Sequence, residues 1–223
     1  MIQMVVFDMA GTTVDEDNVV YKTLRQVINA AGYQFSLTQV LAAGAGKEKL
    51  QAIKDIIQLD NGKAEAGFAE NLYTVFDKAL ATAYDNLAIK PQPGAEELFA
   101  LLRKKNMLVV LNTGYNKITA TGLLQHLHWC EGEQFDGLIT ATDVRNNRPQ
   151  PDMIQLAMRR FGITDTKAVV KIGDSTIDIE EGQNAGCGLS IGITTGAHTQ
   201  QQLITANPDY IIHHLMDLLP LLN

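Results

Sequence analysis

Six short apolar runs rich in β-branched residues constrain this chain more than any other feature: IQMVVFD, MLVVLNTG, GLITATD, AVVKIGDS, LSIGITTG and DYIIHHL. Each is too short for a buried helix and lacks the polar alternation of a half-wet strand, so each reads as a strand covered on both faces. Between them lie stretches of helical period, GAEELFALLRKKN, YNKITATGLLQHL, PDMIQLAMRRFG and DIEEGQNAG. Such alternation builds an α/β doubly wound parallel sheet. The interval 16–86 breaks the rhythm. VVYKTLRQVINAAGY, LTQVLAAGAGKEKLQAIKDIIQ and AEAGFAENLYTVFDKALATAYDN are all helical by period and helix-forming composition, with no convincing strand among them. The spacing therefore predicts a core of residues 1–15 and 87–223, with a helical cap of residues 16–86 inserted after the first strand. Pro91, Pro93 and Gly94 mark the return to the core.

The 223 residues suffice for one core and a small accessory domain. A net charge of -7 disfavours nucleic acid or an anionic membrane surface as partner. No apolar stretch reaches the roughly 18 residues needed to span a bilayer. The N-terminus runs straight into a strand without a basic leader, and Cys130 and Cys187 stand far apart with no metal-like spacing. A cytoplasmic protein with reduced thiols is the expectation.

Polar residues gather just after the strands. Asp8 follows MVVF, Thr113 follows LVVLN, and Asp174 follows VVKIG, with Asp178 one helical turn later. In an open α/β sheet, ligands bind outside the carboxyl ends of the strands. Taken singly, each of these is a common turn or N-cap residue. Together, at successive strand ends, they put carboxylates and a hydroxyl into one crevice. Crowded carboxylates repel unless a cation is present, and hard oxygen donors suit Mg²⁺ at Asp8 and Asp174. Asp178 is either a further ligand or a support for a metal-bound water. A carboxylate there is also a competent nucleophile for phosphoryl transfer through an aspartyl-phosphate. Backbone amides of the turn at Gly11 and Thr12, and of the Thr113–Gly114 pair, are expected to cradle phosphoryl oxygens. Arg148 is expected to pair with the transferring group.

FDMAGTT, NTG, RPQPDM and GDSTID resemble the four motifs of the haloacid dehalogenase superfamily, and span the core from end to end. Within it, DMAGTTVD, TGY at Thr113–Tyr115, Arg148–Pro149 and EGQNAG are similar to the phosphonatases, which hydrolyse phosphonoacetaldehyde. The resemblance implies that Asp8 is the nucleophile, and that Thr113 and Arg148 hold the phosphoryl group. It also implies Mg²⁺ on Asp8, the Ala10 carbonyl and Asp174, with Asp178 in support. Phosphatases of the superfamily carry an acid/base aspartate where this chain has Ala10. Phosphonatases lack it because their leaving group is carbon, and a cap lysine forms a Schiff base with the substrate aldehyde instead. Lys47, three residues after Gly44, matches that lysine's place, while Leu50 stands where the family has a cap histidine. For Lys47 three roles stay open: Schiff base, substrate electrostatics, or plain surface.

These residues lead to an Mg²⁺-dependent hydrolase of a small organophosphorus compound, cleaving the P–C bond of phosphonoacetaldehyde or an analogue. A small-metabolite phosphomonoesterase is the alternative, and a catalytically weak phosphate-binding protein the third reading. No nucleic acid or membrane partner is expected, and self-association into a homodimer is open.

Overall fold

The computed structural model describes residues 1–60, 66–85 and 87–222. The chain opens with strand β1 (Met4–Asp8), a tight turn and a two-residue strand β2 (Val14–Asp15). Helices α1 (Val19–Ala30), α2 (Leu37–Gly44), α3 (Lys49–Gln58) and α4 (Phe68–Asp85) follow, then strand β3 (Lys90–Pro91). Strands and helices alternate from there. They run α5 (Ala95–Lys104), β4 (Leu108–Thr113), α6 (Lys117–His126), β5 (Gly137–Thr140), α7 (Asp152–Phe161), β6 (Val169–Gly173), α8 (Thr176–Ala185), β7 (Leu189–Ile193), α9 (Gln200–Ile204) and β8 (Tyr210–Ile212).

The main sheet has the order β5-β4-β1-β6-β7-β8, with every neighbouring pair parallel. Successive side chains of a strand point to opposite faces, and β1 shows the result. Val5 and Phe7 enter a core shared with α5 and the inserted helices, whereas Met4 and Val6 pack with Met153 and Ile154 of α7. Both faces are dry, which is why the strand carries an unbroken apolar run. Phe7 meets Phe99 edge-on at 5.3 Å, and Phe99 meets Trp129 likewise, which anchors α5 on the sheet. The chain runs outward from β1 through β4 to β5, then returns to lay β6 on the other side. The strand order reverses at β1, so the crevice opens above the ends of β4, β1 and β6.

All six expected strands of the sheet are present. Three differences lie between residues 14 and 91. First, β2 and β3 pair antiparallel, Val14 opposite Pro91 and Asp15 opposite Lys90, and so tie together the two chain segments that bound the inserted helices. Two-residue strands are too short to show a period. Second, the helical stretch 37–58 is divided into two helices. Gly44 ends α2, Ala45 is extended, Gly46 takes φ +74°, and the Glu48 carboxylate caps α3 by accepting from the N–H groups of Leu50 and Gln51. Third, the helix expected over 64–86 begins at Phe68; residues 64, 65 and 86, and with 86 the expected domain boundary, lie outside the described residues. Among the described residues no helix is long and apolar enough to cross a membrane.

Candidate active site

The ends of β1, β4 and β6 bring Asp8, Thr113 and Asp174 to one crevice, and the first turn of α8 adds Asp178. Oxygens of Asp8, Asp174 and Asp178 all lie within 4.8 Å of one another, and all three residues are buried. The turn after β1 is held by its own backbone. Thr13 and Val14 donate their N–H groups to Met9 O at 2.8 Å, and Gly11 donates to Val14 O at 2.9 Å. Arg148 reaches in from the loop before α7. Its Nη1 donates to Asp8 Oδ1 at 2.7 Å and lies 3.0 Å from Asp178 Oδ1, while Nη2 donates to Oδ1 and the carbonyl of Asn112, each at 2.7 Å. Beneath it Lys171, fully buried, donates to Asp178 Oδ1 at 2.8 Å and to Asn112 Oδ1 at 2.9 Å. Glu181 completes this floor, accepting from Asn112 Nδ2 at 2.9 Å and lying 3.1 Å from Arg148 Nε.

The charges are unevenly matched. Burial pushes the Asp178 carboxyl up, but the Lys171 ammonium and Arg148 guanidinium outweigh that and hold it below its ordinary range. Burial opposes the charge of Arg148, yet Asp178, Asp8 and Glu181 keep it firmly cationic. Asp8 is raised by burial and by the charge of Asp178, despite Arg148. Asp174 is held well above its ordinary range, by burial and then by Asp8 and Asp178; its partners are N–H and O–H donors, Ala197 N–H to Oδ2 at 2.6 Å and Thr12 Oγ1 to Oδ1 at 3.3 Å. The unmet negative charge thus sits between Asp8 and Asp174, and hard carboxylate oxygens there fit a divalent cation such as Mg²⁺. The backbone closes tightly around Asp174: a Cβ on Gly11 or Gly196 would come within 2.4 or 2.0 Å of its Oδ2.

The loop between α2 and α3 covers these strand ends. Gly46 N–H donates to the Tyr21 hydroxyl at 3.1 Å, and Gly46 O accepts from Arg148 Nη1 at 3.4 Å. A cavity of about 10 Å³ remains beneath it, about the room of one water. Asp8, Ala10, Tyr21, Lys49, Thr113, Gly114, Tyr115 and Arg148 line it. Anything larger enters only if the inserted helices or these side chains move. A Cβ on Gly46 would meet Ser175 Oγ at 2.2 Å, on a backbone at φ +74°. Gly46→Ala is therefore expected to lift the loop from Ser175 and cost about 1 kcal/mol in backbone strain alone. Thermal melts and faster amide exchange over residues 44–48 would show it.

Asp8, Ala10, Thr113, Gly114, Tyr115 and Arg148 meet as the sequence predicts, with Asp174 and Asp178 beside Asp8. Gly11 and Thr12 do not face the cavity, because the turn and Asp174 take up their amides and hydroxyl. Nor does the structure bring Lys47 in. Its Nζ pairs with Asp55 Oδ2 at 2.5 Å, and its side chain is 25 % exposed. Two residues on, Lys49 points inward instead. Its Nζ donates to Lys47 O at 2.7 Å and rests over the rings of Tyr115 and Tyr21, at 5.0 and 5.6 Å from their centroids. Burial pushes this amine down to about 8, with Asp8 opposing. Sequence reasoning also assigned no role to Glu16, Tyr84, Lys171 or Glu181. The motif EGQNAG contains Glu181, but its partners come from β4, β6 and the loop before α7.

Comparison with known proteins agrees with this geometry. Residues 5–192 match the family model of the haloacid dehalogenase-like hydrolases. A phosphonoacetaldehyde hydrolase of Latilactobacillus sakei is 28% identical over 97% of this chain and 93% of that protein. A probable phosphatase, IndB, of Dickeya dadantii is 28% identical over 95% of this chain and 90% of its own length. The crystal structure of a hydrolase from Pseudomonas syringae superposes with a TM-score of 0.84 at 22% identity, over 98% of this chain and 96% of that one, which speaks to the fold. The phosphate-binding reading without catalysis finds no support among them. By the reach of the family match and by its fold, the chain belongs to the haloacid dehalogenase-like hydrolases.

Proposed function

We propose that this hydrolase cleaves the P–C bond of a small phosphonate bearing a carbonyl group, phosphonoacetaldehyde or a close analogue, with the phosphoryl group passing to Asp8. One observation carries the reading: Ala10 and the buried amine of Lys49 line the same cavity as Asp8. An alcohol leaving group needs a proton donor near the nucleophile. The alanine cannot supply one. A carbon leaving group needs an electron sink, and an amine provides it by condensing with the substrate carbonyl. The relative named phosphonoacetaldehyde hydrolase supports the same choice.

In this reading Lys49 forms an imine with the carbonyl carbon and releases water. An oxygen of Asp8 attacks phosphorus, the P–C bond breaks, and its electron pair moves onto the protonated imine to leave an enamine. Water then hydrolyses the phosphoaspartate and, separately, the enamine's imine tautomer, which frees Lys49. Arg148 orients the Asp8 carboxylate, while Thr113 and the amide of Gly114 face the transferred group. Mg²⁺ would be held by Asp8, the Ala10 carbonyl and Asp174, with Asp178 behind them. When bound, it screens the carboxylates and polarises phosphoryl oxygens. Closure of the inserted helices as a cap keeps water out during the first half-reaction.

Sodium borohydride added with phosphonoacetaldehyde is expected to inactivate the enzyme and add the substrate's carbon skeleton to the peptide bearing Lys49. Lys47→Arg should be trapped like the parent, and Lys49→Arg should not. Turnover of phosphate esters with no trapping would replace this reading with a phosphomonoesterase.

A further inference from the structure

Glu16 is 2 % exposed and Lys49 5 % exposed, and among the described residues neither side chain has an ion-pair partner. Two buried, unpaired groups of opposite charge are costly to a fold, and they lie in one tyrosine-walled chamber. Glu16 closes the segment from β2 into α1, where its Oε2 accepts from Val20 N–H at 3.0 Å. The same oxygen lies 3.4 Å from the Tyr84 hydroxyl, and that hydroxyl is 2.9 Å from the hydroxyl of Tyr115. The ring of Tyr115 carries the Lys49 nitrogen on its face. The chamber thus gathers the entrance to the inserted helices (Glu16), their last turn (Tyr84), the lysine and the end of β4.

We propose that Glu16 is the counter-ion of Lys49, stabilising its nitrogen as a cation first in the ammonium and then in the protonated imine. The second half rests on the reading of Lys49 as the imine-forming amine. Glu16 acts through Lys49 and is a positioning residue. The groups facing it are Lys49 from α3, Tyr84 from α4, Tyr21 from α1 and Tyr115 after β4; Lys49 is the cation among them. Lys49 itself is faced by Asp8, Arg148, Glu48 and Glu16, besides its two rings. Burial pushes Glu16 up to about 8 and Lys49 down to about 8, and the charge of each works against the shift of the other, as a counter-ion's does. A carboxylate serving only to cap α1 would need no such partner, and a glutamine caps as well.

Glu16→Gln keeps the acceptor for Val20 N–H and removes the charge. Pulse labelling with acetic anhydride across pH 6 to 10, read by mass spectrometry with the exposed Lys105 as reference, reports the neutral amine at Lys49. The half-labelling pH of Lys49 is expected to fall by about half a unit or more in Glu16→Gln. Glu16→Asp is expected to restore it. No fall in Glu16→Gln, or a rise, overturns the proposal. If Glu16→Gln does not fold, the converse variant decides. In Lys49→Met the ¹³C resonance of the Glu16 carboxyl must titrate at higher pH than in the parent, and an unchanged titration overturns the pairing. The labelling uses no phosphonate. A shift at Lys49 without borohydride trapping therefore keeps the pairing with the ammonium and overturns its extension to the imine.

Discussion

Asp8→Asn is expected to cost on the order of 10³-fold or more in kcat, as loss of a covalent nucleophile does, while leaving the protein folded. Its stability should hold or rise, because burial and the charge of Asp178 already work against the Asp8 carboxylate. Asparagine keeps an oxygen for Arg148 Nη1, and Arg148 retains Asn112, Asp178 and Glu181. Removing one negative charge from the cavity should also tighten the binding of inorganic phosphate. Calorimetry with phosphate and single-turnover assays on the same preparation would separate binding from transfer. Turnover in Asp8→Asn matching the parent would exclude phosphoryl transfer to Asp8.

The sheet was legible because its strands are buried on both faces, so apolar content alone marks them. The residues at the strand ends were legible as a set, since each lies directly after such a run. What the inserted helices contribute was harder to read. A helical period runs without interruption from Leu37 to Gln58, yet the chain turns sharply at Gly46 and restarts on the Glu48 cap. That restart decides which lysine faces Asp8. A continuous helix would have set Lys47 and Lys49 some 200° apart without saying which one points inward. The break turns Lys47 toward Asp55 and Lys49 toward Tyr115. Glu16, Tyr84 and Glu181 had no local signal, because their partners are 31 to 69 residues distant or belong to another element's face. Such pairings exist only after the chain has folded.

Lys49→Met is expected to make the protein more stable and unable to cleave the P–C bond. The amine titrates near 8 in the fold against 10.5 in an exposed lysine, so the fold disfavours the ammonium. The penalty is present in full below about pH 8, shrinks as pH rises, and is gone above 10.5. The gap corresponds to at most about 3 kcal/mol, less the hydrogen bond to Lys47 O and the two ring contacts that methionine gives up. Denaturant melts of parent and variant at pH 7 and pH 11 should therefore differ at the first pH and converge at the second. Lys47→Met removes an ion pair about a quarter exposed, worth no more than about 1 kcal/mol, and should leave turnover intact. A buried charge that weakens the fold persists where chemistry requires it, and under the proposed imine chemistry the requirement is a neutral amine available near physiological pH. P–C cleavage surviving in Lys49→Met would break that link and leave the cost of burying Lys49 without a purpose.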